Sequence, residues 1–299
     1  MSRADWSNER VGVALAVLAA LGFSFKAIFV KLAYAVAPVD AVTLLSLRMV
    51  FSLPAFLWIG FTASRSAPPL TWRDGLSVTV LGLLGYYGAS ILDFLGLQYI
   101  SAGLERLILF TYPTLTVLIG VLFMGRRLSR REVGALWLSY AGIALAFAHD
   151  LRLVTDGSAV WLGVALVFAS SLSYALYLSG SAAAIERLGA ARFTALAMLV
   201  STAATQAHFF LTQPLSTWLQ PVPVYAYGVA MAVFSTVLPV FMQSAAIRRI
   251  GPSKAVLIGT LGPVLTIFFG WWLLDEPLSL SQMFGTALVL IGVWLVSRK

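Results

Sequence analysis

Residues 100–124, ISAGLERLILFTYPTLTVLIGVLFM, form an apolar run long enough to cross a bilayer, and the run recurs as residues 250–274, IGPSKAVLIGTLGPVLTIFFGWWLL. A shift of 150 positions places Pro113 on Pro263, Thr116 on Thr266, Gly120 on Gly270, Leu115 on Leu265 and Leu107-Ile108 on Leu257-Ile258. The match continues with Leu128-Ser129 on Leu278-Ser279 and Gly142 on Gly292. Leu and Ile coincide easily in an apolar chain. Pro, Gly and Thr at one gapless offset do not. Each half is therefore expected to hold a membrane helix broken near its middle by proline.

The rest of the chain agrees with a membrane setting. Of its 299 residues, 60% are hydrophobic and only 11% charged, against about 25% charged in soluble domains. A spanning helix takes about 20 apolar residues. Apolar runs at 11–36, 41–60, 75–97, 100–124, 132–148, 159–182, 192–211, 223–247, 250–274 and 279–297 predict an all-α membrane protein of ten transmembrane helices. None alternates like a strand, and backbone groups in lipid must be satisfied within each segment. The predicted division is a first five-helix repeat over 1–149, a connector over 150–158 and a second repeat over 159–299, integrated as one membrane domain. Arg10 followed by apolar residues 11–25 resembles a signal peptide. A counterpart in the second half favours a first membrane helix instead.

Charge orients these helices. Of twenty Lys and Arg residues, fifteen fall at one set of helix ends: Arg3, Arg10, Arg65, Arg73, Arg126, Arg127, Arg130, Arg131, Arg187, Arg192, Arg248, Arg249, Lys254, Arg298 and Lys299. Only Arg152 falls in the opposite loops, and Lys26, Lys31, Arg48 and Arg106 lie inside helices. The positive-inside rule then predicts cytoplasmic N- and C-termini. Five helices is an odd number, so helix 1 runs outward and helix 6 inward. Similar halves must therefore be inverted repeats about an axis in the membrane plane, a symmetry suited to alternating access. The helix 1 and 6 match is weaker, at an offset of 149, with Ser24-Phe25 on Ser173-Tyr174.

Candidate functional residues emerge from this frame. Pro113 and Pro263 each remove a helix hydrogen bond and are candidate hinges, the alternative being static kinks. Lys31, Arg48, Asp93, Glu105 and Arg106 fall in the outer half. Charges there need partners, and they form either an outer ion-pair gate or a fixed network. Lys26 lies nearer the middle of helix 1, on the face of Phe23, Phe29 and Val30. It can receive a substrate carboxylate, or pair with Asp93 or Glu105, or snorkel. Candidate cavity residues are Tyr86 and Ser90 on helix 3, with Asp93 on the same face, and Phe110 on helix 4. Helix 6 adds Tyr174 and Tyr177 between Ser170 and Ser181. Helix 8 adds Ser235, Met242 and Gln243, and helix 9 adds Thr260 beside Gly259. Such a lining suits a neutral or zwitterionic solute with an apolar body.

Other chemistries lack their residues. With no cysteine there is no disulfide or thiolate metal site, and His149 and His208 are not spaced as ligands. No HExxH, P-loop, nucleotide-binding glycine motif or paired protease aspartates occur. No catalytic residue, metal or cofactor is expected, and the chain is not read as an enzyme. The net charge of +8 sits in short loops between apolar runs, which fits topology better than nucleic acid. The expected partners are the lipid bilayer and a small-molecule substrate. Two joined halves can form one pathway within a monomer.

The ten-helix plan, GFSFKAIFVKLA in helix 1, the proline-bearing helices 4 and 9, the basic turn after helix 4 and the DEPLS turn at Asp275–Ser279 resemble the EamA-type drug/metabolite transporters. Within that family the whole sequence is most similar to the aromatic amino acid exporters. The resemblance implies export of aromatic and other neutral amino acids across a bacterial inner membrane, with helices 1, 3, 4, 6, 8 and 9 around the cavity. Phe25 stands where many relatives carry a second small or polar residue in helix 1, and Lys26 is an addition. Remaining alternatives are an exporter of other amphipathic metabolites or drugs, and a non-transporting channel-like or lipid-handling protein.

Overall fold

The structure, a computed structural model, describes residues 3–65, 67–124, 130–153 and 157–297. Among these residues there is no strand. The helices are α1 (Arg3–Val36), α2 (Ala41–Ser64), α3 (Trp72–Gly82), α4 (Ala89–Gly96), α5 (Ala102–Leu109), α6 (Tyr112–Met124) and α7 (Arg130–Leu153). The second half supplies α8 (Gly157–Leu188), α9 (Ala190–Thr212), α10 (Val222–Ala232), α11 (Leu238–Gly259), α12 (Leu261–Leu274) and α13 (Leu280–Ser297). A π turn, Leu83–Gly88, joins α3 to α4, and another, Val233–Val237, joins α10 to α11.

Seven stretches are long and apolar enough to span a membrane, and three shorter apolar ones are Trp137–Ala146, Leu261–Leu274 and Leu280–Leu295. Together they are the ten expected helices. Large apolar side chains stay exposed along the outer surface, among them Leu122, Phe123, Trp137, Trp161, Leu211 and Phe284. A soluble protein rarely exposes such a continuous apolar surface. Lipid supplies the missing contact. The seventh helix expected from the sequence is α9, whose N-terminal neighbour Gly189 has φ 80°, a conformation glycine adopts without strain. α7 continues to Leu153 and α8 starts at Gly157, so both extend into the expected connector. Residues 154–156 of that connector and 125–129 of the basic turn lie outside the described residues.

α11 is hydrogen-bonded as one helix, yet its contacts show the chain turning back within it. Gly22 of α1 lies against Pro239, and Gly12 against Ile250. Farther on the order reverses: Ala16 clusters with Ala255, and Ser24 meets Gly262. The chain therefore reverses between Ile250 and Ala255. The last turns of α11 belong to the ninth span with α12.

Packing exchanges the halves. α1 packs on α10, α11 and α12, while α8 packs on α3, α4, α5 and α6. α2 pairs with α9, its counterpart, and α7 with α13. The α2–α9 pair is antiparallel, with Ser46 near Gln206 and Gly60 near Ala195. α7 and α13 meet where Gly142 and Gly285 each face the other's backbone carbonyl. Any side chain there would force the helices apart. The fold is thus two inverted five-helix repeats.

Candidate transport pathway

Two spans are interrupted at equivalent positions. α5 ends at Leu109 and α6 begins at Tyr112, while α11 ends at Gly259 and α12 begins at Leu261. The interruptions lie just before the prolines rather than at them. Pro113 and Pro263 occupy the first turn of the following helix, where a missing N–H leaves no helical acceptor short. What a proline does disturb is the carbonyl four residues earlier. For Pro113 that is Leu109, whose oxygen accepts a hydrogen bond from Ser171 Oγ of α8 at 3.1 Å. Thr111 Oγ1 lies 2.8 Å from the same hydroxyl and donates to Ile108 O at 2.7 Å. At the second interruption Ser24 Oγ of α1 donates to Ala20 O at 2.7 Å and to Gly262 O at 3.1 Å. Each broken span therefore meets a serine from the first helix of the opposite repeat.

Next to the first interruption lies a buried ion cluster. Lys26 Nζ donates to Asp93 Oδ2 at 2.6 Å and lies 3.1 Å from Glu105 Oε1. The lysine side chain is 18% exposed, Asp93 2% and Glu105 0%. α1, α4 and α5 are thus joined by one ammonium shared between two carboxylates. Asp93 Oδ1 and Glu105 Oε2 accept no hydrogen bond. Tyr34 donates to Phe94 O at 2.8 Å beside the cluster. From sequence, Lys26 either receives a substrate or pairs with Asp93 or Glu105, and the acids are expected in an outer gate with Lys31, Arg48 and Arg106. In the structure the acids' cation is Lys26.

The other cations take different roles. Arg48, 5% exposed, donates to Ser90 Oγ at 3.0 Å and lies 5.1 Å from the Phe94 ring centroid. Arg106 lies 5.2 Å from the Phe110 centroid, with its guanidinium against the backbone of Gly262. Lys31 is partly buried one turn beyond Lys26.

An aromatic wall extends from Arg106. Phe110 and Tyr112 centroids are 6.1 Å apart, Tyr112 and Tyr174 5.2 Å, Tyr174 and Tyr177 5.5 Å, and Tyr177 and Tyr86 5.1 Å. The Tyr86 and Tyr177 hydroxyls are 3.0 Å apart. Gly85 has no side chain where the Tyr177 ring crosses it. A second aromatic group sits on α1, where Phe25 stacks on Phe269 at 4.3 Å and Phe29 lies 6.3 Å from Tyr227.

Tyr86, Ser90 and Asp93 reach Tyr177 of α8, Arg48 of α2 and Lys26 of α1 respectively. Tyr86 lies within the π turn Leu83–Gly88, and Ser90 and Asp93 follow it on α4. An i→i+5 turn adds a residue and rotates the downstream part of the span relative to an α-helical count. The carbonyls it displaces are served by α8: Leu84 O accepts from Ser173 at 2.7 Å and Ala89 O from Ser170 at 2.6 Å. In the second π turn Ser235 Oγ is buried with no hydrogen-bond partner. Phe23, Met242, Gln243 and Thr260 are partly buried. No ring contact or hydrogen bond among the described residues draws Phe23, Met242 or Gln243 into the aromatic wall.

Several residues escape a reading of the sequence alone. Glu276, in the DEPLS turn, accepts hydrogen bonds from Ala102 N at 2.8 Å and Gly103 N at 3.4 Å. It caps α5 from the far end of α12. Asp275 just before it has φ 54°, which turns the chain back toward α5. The pattern Ser101-x-x-x-Glu105 announces the α5 N-terminus, but nothing local ties that terminus to a residue 174 positions on. Tyr87 and His208, 2.9 Å apart, and Ser46 and Gln206, 2.8 Å apart, are further tertiary pairs.

A ten-helix inverted repeat with two interrupted spans and polar groups inside the bundle defines a membrane transporter of small molecules. The chain belongs to the EamA-like transporter family, which matches it twice, over residues 10–148 and 161–298. It is 29% identical over 285 residues to the uncharacterized transporter YcbK of Bacillus subtilis, covering 92% of this chain and 88% of that one. An uncharacterized transporter of Archaeoglobus fulgidus is 24% identical over 271 residues, covering 91% and 94%. One solved crystal structure superposes with a TM-score of 0.67 over 95% of both chains at 18% identity, a likeness of fold alone.

Proposed function

We propose that this chain is a secondary transporter that exports amino acids, aromatic and other neutral ones, or similar small metabolites by alternating access. It would sit in a bacterial inner membrane with both termini in the cytoplasm and work as a monomer. In this reading the first repeat covers 1–149, the second 159–299, and 150–158 connects them. The observation that carries it is the pair of interrupted spans in inverted positions, at 110–111 and 260, each beside Pro113 or Pro263. Repeats that exchange conformations open a shared site to one side and then the other. The Lys26, Asp93 and Glu105 cluster is the gate that breaks and remakes, and the aromatic wall receives the substrate body. The overall likeness of the sequence to the aromatic amino acid exporter YddG favours this substrate class. Phosphorylated substrates need cations, and the second half has none within its spans, which disfavours them.

Proteoliposomes holding the purified chain test the reading. Saturable uptake of labelled phenylalanine or tryptophan, competed by unlabelled amino acid, is expected. Flux of amphipathic drugs but of no amino acid moves the chain to the second reading. Pro113→Ala and Pro263→Ala are each expected to slow transport. Unchanged rates in both would remove the hinges while leaving the substrate class standing.

A further inference from the structure

Arg106 stands apart from the other interior cations. Lys26 is taken by two carboxylates, and Arg48 by Ser90 and Phe94. Among the described residues, Arg106 has no side-chain hydrogen bond or ion pair, and its Nε is buried without a partner. Its contacts are the Phe110 ring and the backbone of Gly262, where a Cβ would stand 2.8 Å from Nη2. Arginine stays charged at any pH a cell reaches, so the guanidinium cannot escape its surroundings by losing a proton. Glu105, next in the chain, lies 3.1 Å from Lys26 Nζ and makes no ion pair with Arg106 among the described residues.

Gly262, Thr266 and Gly270 are buried in the ninth span, while Leu261, Val264 and Phe268 face outward. Gly259, partly buried just before the interruption at Thr260, has open space where a side chain would stand. Phe110 forms the ring contact, and Tyr112 and Tyr174 continue the wall.

Resting on the transport reading above, we propose that Arg106 is the carboxylate receptor of the substrate site, and that the ligand is a monocarboxylate with a flat apolar body. A planar guanidinium matches a carboxylate with two parallel N–H···O bonds. The carboxylate meets the guanidinium, and the aromatic wall covers the apolar body of the molecule. Decarboxylated amines of the same shape are excluded, because they offer Arg106 no acceptor.

Arginine footprinting tests this on the intact chain in detergent. Phenylglyoxal modifies accessible guanidinium groups, and mass spectrometry reads the peptide that contains Arg106. L-Phenylalanine and phenylacetate are expected to slow its modification several-fold, and phenethylamine to leave it unchanged. In proteoliposomes, Arg106→Gln is expected to weaken phenylalanine counterflow about tenfold or more, the usual scale for a lost hydrogen bond to a charged group. Arg106→Lys should fall between. Protection by phenethylamine equal to that by the acids overturns the assignment. So does absence of protection by any carboxylate while phenylalanine counterflow proceeds, and the transport reading then survives. Protection by phenylacetate without counterflow of any amino acid sinks the amino acid reading and keeps the carboxylate site. Neither protection nor counterflow removes both. If Arg106→Gln fails to fold, the wild-type footprint decides.

Discussion

The two interrupted spans are equivalent in position and unlike in what surrounds them. Beside the first stand Lys26, Asp93, Glu105 and Arg106. Their counterparts by offset are Ala175, Gln243, Ala255 and Val256. Ala175 packs fully buried with Leu115 and Ile119, and Ala255 with Ala16 and Ala246. The repeat thus copies backbone geometry, meaning the interruption and the proline, while the serines that meet them, Ser171 and Ser24, sit at different positions of the repeat. It does not copy charge. An interruption is built into both halves, and the buried ion cluster into one. A transporter of this design would fasten the first interruption through ion pairs that must be desolvated and the second without them, while Asp74 and Arg187 pair across the halves at their basic ends. The two interruptions would then respond differently to the same insult.

The largest test of that contrast removes the shared cation. Lys26→Ala leaves Asp93 and Glu105 buried without it, and loss of one partner of a buried pair costs about 3–5 kcal/mol. A large drop in thermal stability in detergent is expected, with transport abolished. Adding Asp93→Asn and Glu105→Gln to it should restore much of the stability and none of the gating. If the single variant unfolds at the wild-type temperature, the cluster is not a fastening.

Smaller effects separate the two serines. Ser171→Ala strips Leu109 O of the donor that offsets Pro113, and an unsatisfied buried carbonyl costs about 1–3 kcal/mol. Ser24→Ala should cost less, because Gly262 O lies within a regular helix and Ser24 Oγ also bonds its own helix. Equal losses in denaturation would mean that Leu109 O is not specially dependent on α8. Next comes Glu276→Ala, which uncaps α5. Loss of a helix cap costs about 1 kcal/mol, and faster amide exchange confined to Ala102–Leu104 is the expected signature. Tyr86→Phe is the mildest, at or below about 1 kcal/mol for one hydroxyl pair, and should change stability less than any of these.

The spans are legible in the sequence because each is a long apolar run, and the basic loops give their alternation. The interruptions are legible as neighbourhoods but not as positions. Proline marks the turn it starts, while the break falls before it. Ion partners are less readable. Helical spacing tells which residues share a face, but not which helix that face will meet. Spacing alone therefore leaves Lys26 open between a cavity and a pairing with Asp93 or Glu105, and the structure shows that pairing. It puts Arg106 with the gate charges, where it makes no ion pair among the described residues. The π turn at Leu83–Gly88 leaves no trace in the sequence, since no proline lies close after it, and the three neighbours that Tyr86, Ser90 and Asp93 meet are set by tertiary packing. Glu276 is invisible as a cap because its target lies in the other half.

Those π turns also keep the two repeats in register. They begin at Leu83 and Val233, and the interruptions fall at Phe110 and Thr260, each pair 150 positions apart. The halves therefore hold the same number of residues between these landmarks, although the residues themselves differ. The reason lies in the geometry of the helix. At about 3.6 residues per turn, deleting one codon swings everything beyond it by about 100°. In the first copy that would carry Asp93 away from Lys26. Point substitutions could place charges in one copy and omit them from the other, while the reading length of both stayed fixed.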